Sequence, residues 1–282
     1  MEIKFAKMHG NGNDFVIIDE FQGEVVKEEE KPKFVRAIAH RNFGIGADGV
    51  IFVQKSRVAD AKFRYFNSDG SEAEMCGNGI RCFSRYVVEE GYAKSPVKVE
   101  TLVGIYELDV ARNEEGWWVK VDMGTPKFDR REIPAREEVW GKKVKVDNRG
   151  FEIYAVNTGV PHAVVFVEDF DFDVVKVGRA IRMSELFPEG VNVNFVKREG
   201  KDAFFVRTYE RGVENETLSC GTGSVAVAAV VRKLGFADDK VVILTRGGKL
   251  FVEFEGERAY LIGGAARIAE GKIRAEELNY EV

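Results

Sequence analysis

A chain of 282 residues with 45% hydrophobic and 32% charged side chains is long enough for about two domains and needs neither disulfides nor metals to hold a core. Its net charge of −5, without any block of Lys and Arg, argues against a nucleic-acid or anionic-membrane partner. No apolar run reaches the ~18 residues of a membrane span, the start MEIKFAKMHGNGNDF lacks the apolar middle and cleavage site of an export signal, and three cysteines without such a signal point to reduced thiols in a cytoplasmic setting.

From the N-terminus, Asn13-Asp-Phe-Val-Ile-Ile-Asp19 reads as an apolar strand after a Gly-containing loop. A short helix is expected over about Lys33–His40, with Phe34, Val35 and Ile38 on one face. Gly46-Ala-Asp-Gly-Val-Ile-Phe-Val53 and the alternating Phe63-Arg-Tyr-Phe-Asn67 are further strands, and they lead to Met75-Cys-Gly-Asn-Gly-Ile-Arg-Cys82. A helix begins at or just after Cys76, sets Ile80, Phe83 and Val87 at helical spacing, and stops at Gly91. Strands resume at Val97–Glu100, Ile105–Val110 and Trp117–Val121. Gly124-Thr-Pro-Lys-Phe128 and the charged run to Arg136 mark an inter-domain boundary.

The series then repeats. Pro161-His-Ala-Val-Val-Phe-Val167 answers Asn13–Asp19, and a helix over about Asp173–Arg182 carries Val174, Val177 and Ile181 on one face. Glu189-Gly-Val-Asn-Val-Asn-Phe-Val196 answers Gly46–Val53, and Val206-Arg-Thr-Tyr-Glu210 answers Phe63–Asn67. Leu218-Ser-Cys-Gly-Thr-Gly-Ser224 repeats the Cys-Gly-x-Gly. The spacing between Cys76 and Cys220 also separates Thr101 from Thr245 and Gly104 from Gly248. This period is too long for a solenoid and reads as one duplicated unit. The helix expected over Ser224–Leu234 is apolar on nearly every side, so it must be enclosed. Too short for a membrane, it belongs inside a curved sheet, and it stops at Gly235. Strands at Val241–Thr245, Leu250–Phe254 and Ala259–Ile262 close the second half. The tail after Gly264 has no counterpart in the first half and is read as crossing back to it. The domains are drawn as 1–123 with the return segment 266–282, and 124–265.

The two cysteine turns suggest a chemistry. A helix start has unpaired N–H groups and partial positive charge, which favours a thiolate there. That effect is worth at most ~2 kcal/mol, which lowers a thiol from ~8.5 toward neutrality. Glycines let a carboxylate approach the N–H groups closely. Two such turns facing one ligand suit inversion at the α-carbon of an amino acid: one sulfur removes the proton, the other returns one to the opposite face, and the helix starts stabilise the charge on the carboxylate. No cofactor is required in principle. One Cys-Gly-x-Gly alone carries little, since an unbridged cysteine is usually a small buried hydrophobe; the recurrence carries the reading. Cys82, answered by Ala226, reads as packing. Zinc is not expected, because the Cys76–Cys82 spacing is unlike Cys-x2-Cys. A Cys–His hydrolase dyad using His9, His40 or His162 leaves the matched second cysteine unexplained.

At these residues the chain resembles the diaminopimelate epimerases, nearly end to end. The resemblance rests on Met8-His-Gly-Asn-Gly-Asn-Asp-Phe15, Phe43-Gly-Ile-Gly-Ala-Asp48, Phe66-Asn-Ser-Asp-Gly-Ser-Glu72, Met75–Cys82, Pro161-His162, Glu210-Arg211-Gly212 and Cys220-Gly-Thr-Gly223. It implies an α/β (α+β) fold of two pseudo-symmetric domains, each a curved, mainly antiparallel sheet around a central helix, with the site in the cleft between them. It also implies a cytoplasmic homodimer that interconverts LL- and meso-2,6-diaminopimelate for lysine and peptidoglycan synthesis without pyridoxal phosphate or any other cofactor or metal. Carried over by residue, Cys76 and Cys220 match the acid/base thiols. Gly77, Asn78, Gly221 and Thr222 match the carboxylate cradle. Asn13, Asn67, Asn192, Glu210 and Arg211 match substrate contacts, and His162 matches a residue near a catalytic thiol; either His162 or Glu210 is expected to help relay the thiol proton. Gly49 and Val160 depart from members that carry Gln and Asn there, so neither is taken as a site residue.

Three alternatives stay open on the sequence. Proline racemases share the plan and two cysteines, but usually have His where this chain has Asn78, and their substrate lacks a second charged end for Asn67, Asn192 and Arg211. Phenazine-biosynthesis isomerases share the fold but are not expected to keep both cysteines. A non-catalytic amino-acid-binding protein of the same fold would need neither thiol.

Overall fold

A computed structural model describes residues 2–146 and 149–278; Met1 and 279–282, at the outer ends of the expected first domain and return segment, lie outside the described residues. The chain divides into two compact units, one running to Val121 and resuming at Gly263, the other Asp122–Ile262.

In the first unit, β1 (Glu2–Gly10) and β2 (Asn13–Glu20) form an antiparallel pair. Helix α1 (Lys31–Ala39) follows, with Pro32 in its first turn, where a missing N–H costs nothing. Strand β3 (Gly49–Gln54) is parallel to β2 and antiparallel to β4 (Ala61–Asn67), which pairs with the two-residue β5 (Glu72–Ala73). Helix α2 (Gly77–Glu89) follows. Strand β6 (Val97–Thr101) is parallel to β4 and leads through antiparallel pairings to β7 (Gly104–Asn113) and β8 (Gly116–Asp122).

The second unit uses the same pairing order. Strands β9 (Trp140–Val146), β10 (Arg149–Asn157) and β11 (Pro161–Phe166) are successively antiparallel. Helix α3 (Val174–Arg182), capped by the Asp173 side chain on the Lys176 N–H at 3.0 Å, crosses to β12 (Asn192–Arg198), parallel to β11. Strands β13 (Ala203–Glu210) and β14 (Asn215–Thr217), helix α4 (Gly221–Lys233), and strands β15 (Lys240–Thr245), β16 (Gly248–Glu255) and β17 (Arg258–Gly264) complete the series. Strand β15 is parallel to β13, as β6 is to β4. The last strand, β18 (Ala266–Arg274), pairs antiparallel with β1. It gives β1 the neighbour that β9 gives β10.

The duplication extends to individual hydrogen bonds. Thr101 Oγ1 donates to the Gly104 carbonyl at 2.9 Å and Thr245 Oγ1 to Gly248 at 2.8 Å, so the recurring Thr and Gly close equivalent hairpin turns. Each central helix ends on a glycine in the left-handed region, Gly91 at φ 75° and Gly235 at φ 73°. Tyr92 and Phe236 N–H then reach back to the Val87 and Val231 carbonyls at 2.9 and 2.8 Å. A side chain at either glycine would strain that closing turn.

Helix α2 packs against β1, β2, β3, β4, β6 and β7, and α4 against β10, β11, β12, β15 and β16. Val225–Val231 of α4 are buried without a break. Val is a poor helix former because its branched Cβ loses rotamers against the preceding turn, so packing rather than propensity holds this helix. Its core partners include Val156, Val164, Phe204, Ile243 and Leu261. Helix α2 starts at Gly77, just after Cys76 as expected, whereas α4 starts at Gly221 rather than Ser224, because the glycines of its Cys-Gly-x-Gly turn are already helical.

Val227→Ala should cost about 2 kcal/mol, since it removes two fully buried methyls and leaves a cavity. The same change at the half-buried Val175 of α3 should cost less than about 1 kcal/mol. Thermal melts of the two variants compare them directly.

Candidate functional site

Each Cys-Gly-x-Gly forms the same local structure. Cys76 and Cys220 are the N-caps of α2 and α4, with extended backbones at φ −145° and −125°. The N–H of Gly79 donates to Cys76 Sγ, and that of Gly223 to Cys220 Sγ, each at 3.4 Å. Sulfur thus replaces the oxygen of an ordinary cap. The second glycine of each motif permits close approach to a strand. A Cβ on Gly79 would lie 3.3 Å from Ile51 Cδ1, and one on Gly223 only 2.4 Å from Asn194 Oδ1. The segment before each cysteine is anchored alike. Arg64 grips Glu72 through Nε and Nη2 at 2.7 and 2.9 Å, and Arg207 grips Glu216 at 2.7 and 2.6 Å. Each fork ties a strand to the short strand four residues ahead of its cysteine.

In the first unit, Asn13 Oδ1 lies 3.7 Å from Cys76 Sγ and accepts from Asn78 Nδ2 at 3.2 Å. Asn13 Nδ2 donates to Asp48 Oδ2 at 2.8 Å, which fixes the orientation of the amide. Arg41 bridges Asp14 and Asp48 at 2.9 and 2.7 Å, and Lys7 pairs with Asp14 at 2.6 Å. Burial raises the Asp14 carboxyl, but hydrogen bonds from Arg41 and Lys7 outweigh it and hold it at about 2. Asn67 ends β4 and turns its Nδ2 to Ser71 Oγ at 3.1 Å. Nothing would stand within 4 Å of a Cβ at Gly77. The space that a side chain at Gly49 would need is filled by the Tyr65 ring, whose Cε2 would lie 2.4 Å from the added Cβ.

In the second unit the surroundings are polar. Thr222 Oγ1 stands 3.4 Å from Cys220 Sγ and 3.0 Å from His162 Nε2. Asn194 Nδ2 lies 3.0 Å from His162 Nδ1 and donates to the Ala163 carbonyl at 3.3 Å. That carbonyl fixes the amide, so Asn194 donates to Nδ1 and the imidazole proton sits on Nε2, pointing at Thr222. Burial, with a smaller push from the Arg211 charge, drives His162 down to about 3, so it is neutral at any working pH. Thr208 Oγ1 completes the chain on Asn194 Oδ1 at 3.0 Å. Asn192 accepts from the Arg211 N–H at 2.8 Å and donates to the Pro161 carbonyl at 3.2 Å. Arg211 Nη1 is anchored on the Glu189 and Gly190 carbonyls at 3.0 and 3.4 Å. Burial pushes the Glu210 carboxyl up.

Asn13, Asn78 and Cys76 therefore gather in the first unit, and His162, Thr222 and Cys220 in the second. Asn192, Glu210 and Arg211 form a neighbouring group at the β12–β13 ends, and Asn67 stands apart from Cys76 in hydrogen bonding. Sequence reasoning did not single out Asn194, Thr208 or the Arg41–Asp14–Asp48 cluster. Asn194 left a signal, since Val-Asn-Val-Asn puts Asn192 and Asn194 on one strand face and both are buried. Cys82 has no exposure, and burial pushes its thiol up to about 12. Among the described residues no cluster of His, Cys, Asp and Glu is placed to hold a metal, and no helix is long and apolar enough to cross a membrane.

Solved structures share this architecture. A phenazine biosynthesis protein of the PhzF family from Bacillus anthracis matches with a TM-score of 0.71 at 18% identity, over 97% of this chain and 99% of that one. A hydroxyproline epimerase from Agrobacterium vitis matches with a TM-score of 0.68 at 15% identity, over 96% and 91%. At such identities they establish the fold alone: α/β, mainly antiparallel, with two pseudo-symmetric halves. Sequence relatives are far nearer. A diaminopimelate epimerase of Archaeoglobus fulgidus is 65% identical across the whole of both chains, and one of Methanothrix thermoacetophila is 52% identical over 98% of each. The family model for diaminopimelate epimerase matches residues 5–128 and 154–268. The chain therefore belongs to the diaminopimelate epimerase family of isomerases.

Proposed function

We propose that this isomerase interconverts LL- and meso-2,6-diaminopimelate by proton transfer at one α-carbon, with Cys76 and Cys220 as the acid/base pair and no cofactor. The observation that carries this is the duplicated turn, in which each cysteine sulfur accepts an N–H from the start of an enclosed helix. One sulfur, as thiolate, takes the α-proton. The other, as thiol, gives its proton to the opposite face, so the carbon is inverted and the two protonation states are exchanged. The N–H groups of Gly77, Asn78, Gly221 and Thr222 cradle the α-carboxylate and stabilise the charge that develops on it. Asn13, Asn67, Asn192, Glu210 and Arg211 hold the remaining ammonium and carboxylate groups, with Arg211 kept in place by the carbonyls under its Nη1. His162 acts through Thr222 by holding that hydroxyl near Cys220. The product serves lysine and peptidoglycan precursor synthesis in the cytoplasm. The enzyme works as a homodimer, for which the exposed apolar turn at Leu102, Val103 and Ile105 offers a contact surface.

Incubation with LL-diaminopimelate in heavy water should place deuterium at the α-carbon, with proline and glutamate unlabelled; a protein that only binds would label none. Cys76→Ala and Cys220→Ala should each lower turnover by at least ~100-fold with circular dichroism unchanged, and substantial remaining epimerisation in either would contradict a two-thiol reaction. His162 gives a pH test. Its folded pKa of about 3 lies below the unfolded value, so as pH falls through roughly 6.5 the unfolded chain takes the proton first and stability declines toward about pH 3. His162→Asn should flatten this acid limb in denaturation curves, and the His162 ring resonances should stay fixed between about pH 8 and 5.

A further inference from the structure

The two cysteine turns share a backbone but not a charge. Arg81, in the first turns of α2, is one of the largest side chains with no exposure at all. Its Nη2 donates to Asn11 Oδ1 at 2.8 Å and Asn78 Oδ1 at 3.0 Å, its Nη1 to the Gly77 carbonyl at 3.3 Å, and its Nε to the Gly264 carbonyl at 3.5 Å. All four acceptors are neutral. Two thiols belong to its surroundings: Cys82, next to it in the helix, and Cys76, linked to it through Asn78, which accepts from Arg81 and donates to Asn13 Oδ1, 3.7 Å from Cys76 Sγ. Burial disfavours the charge, yet a guanidinium keeps its proton in proteins, and a buried cation without an anion is costly. Cys82 cannot balance it, since burial keeps that thiol protonated. Cys76 remains.

The other charges around α2 are engaged or exposed. On β1 and β2, Lys7 and Asp14 pair with each other, and Asp19 is held by the Tyr86 and Tyr92 hydroxyls at 3.1 and 2.6 Å. His9 on β1 accepts from the Gly12 N–H, and Glu20 pairs with Lys31. On β4, Lys62 and Arg64 pair with Glu100 and Glu72, and on α2 itself Arg85 pairs with Glu89. The charges on β6 and β7 other than Glu100 are exposed. In the second unit the residue at the corresponding helix position is Val225, and the imidazole nearest the turn is neutral.

We propose that Arg81 is a positioning residue for Cys76: its buried guanidinium orients the Asn78 amide and supplies the positive charge against which Cys76 rests as a thiolate, so that the substrate-free enzyme holds its thiolate at Cys76 and its thiol at Cys220. Asn13 Oδ1, 3.7 Å from the sulfur, accepts from the thiol form and keeps that form accessible for the return proton. The consequence for turnover rests on the two-thiol reading above, but the charge pairing does not.

The test reads each thiol without substrate. Protein is alkylated briefly with iodoacetamide across a pH series, and the Cys76 and Cys220 peptides are quantified by mass spectrometry. In the unaltered chain the Cys76 midpoint should lie below that of Cys220. Arg81→Gln should raise the Cys76 midpoint by about one pH unit or more and leave Cys220 where it was, while Arg81→Lys, which keeps the charge, should retain most of the unaltered profile. The acid limb of kcat/KM should move with the Cys76 midpoint. An unmoved Cys76 in Arg81→Gln, a joint shift of both thiols, or equal shifts with Gln and Lys would overturn the proposal. So would the reverse order of midpoints in the unaltered chain, which decides the matter even if Arg81→Gln does not fold. Isotope exchange on diaminopimelate tests the epimerase reading separately, so the two can fail independently.

Discussion

Each central helix starts by donating a backbone N–H to a cysteine sulfur, at 3.4 Å in both units. The rest of the structure serves that contact. A helix start can meet sulfur rather than solvent or a capping oxygen only if the helix is fixed in place and the chain enters it extended. Enclosure by strands fixes the helix, most fully in α4, where Val and Ala leave no polar face. The Arg64–Glu72 and Arg207–Glu216 forks fix the entry, four residues before each sulfur. The Schellman-type closures at Gly91 and Gly235 fix the far end. A thiol so placed sits in the partial positive charge of the helix start, and this is what makes a cysteine useful as a base near neutral pH.

On this shared backbone the two units distribute polarity in opposite ways. In the first, the strand residue against the second motif glycine is Ile51, and the charge comes from within the helix as Arg81. In the second, the strand residue is Asn194, the helix position holds Val225, and the polar groups come from the strands as His162 and Thr208. Duplication gives two equivalent sulfurs, whereas the proposed two-thiol inversion needs one base and one acid at any moment. In that proposal, divergence of the side chains around a repeated turn supplies the inequality without changing the turn.

Much of this was legible in the sequence. The recurring Cys-Gly-x-Gly, the apolar run after Cys220 and the stopping glycines at Gly91 and Gly235 fixed the helices, because each signal is local and has one physical cause. Strands β1, β9, β10 and β18 were not read; β9 and β18, WGKKVKV and ARIAEGKIR, carry charges on half-exposed faces and lack the apolar alternation of the inner strands. The Asn194–His162–Thr222 chain was hidden for a different reason. It depends on the register of three strands and a helix start, which no single stretch encodes. Arg81 was hidden because an arginine in a helix ordinarily reaches water, and only the packing of β1, α2 and the segment at Gly264 shows that this one does not.

The pairing of β18 with β1 also orders events during synthesis. The second unit is continuous in sequence, so all of its strands are available once the chain has passed Ile262. The first unit, although made first, keeps one side of β1 open until the final strand emerges. An unpaired edge is a hazard for misassociation in a nascent chain. β1 alternates buried positions with Glu2, Lys4 and Lys7, and charges of this kind discourage a foreign strand while the edge waits for its own.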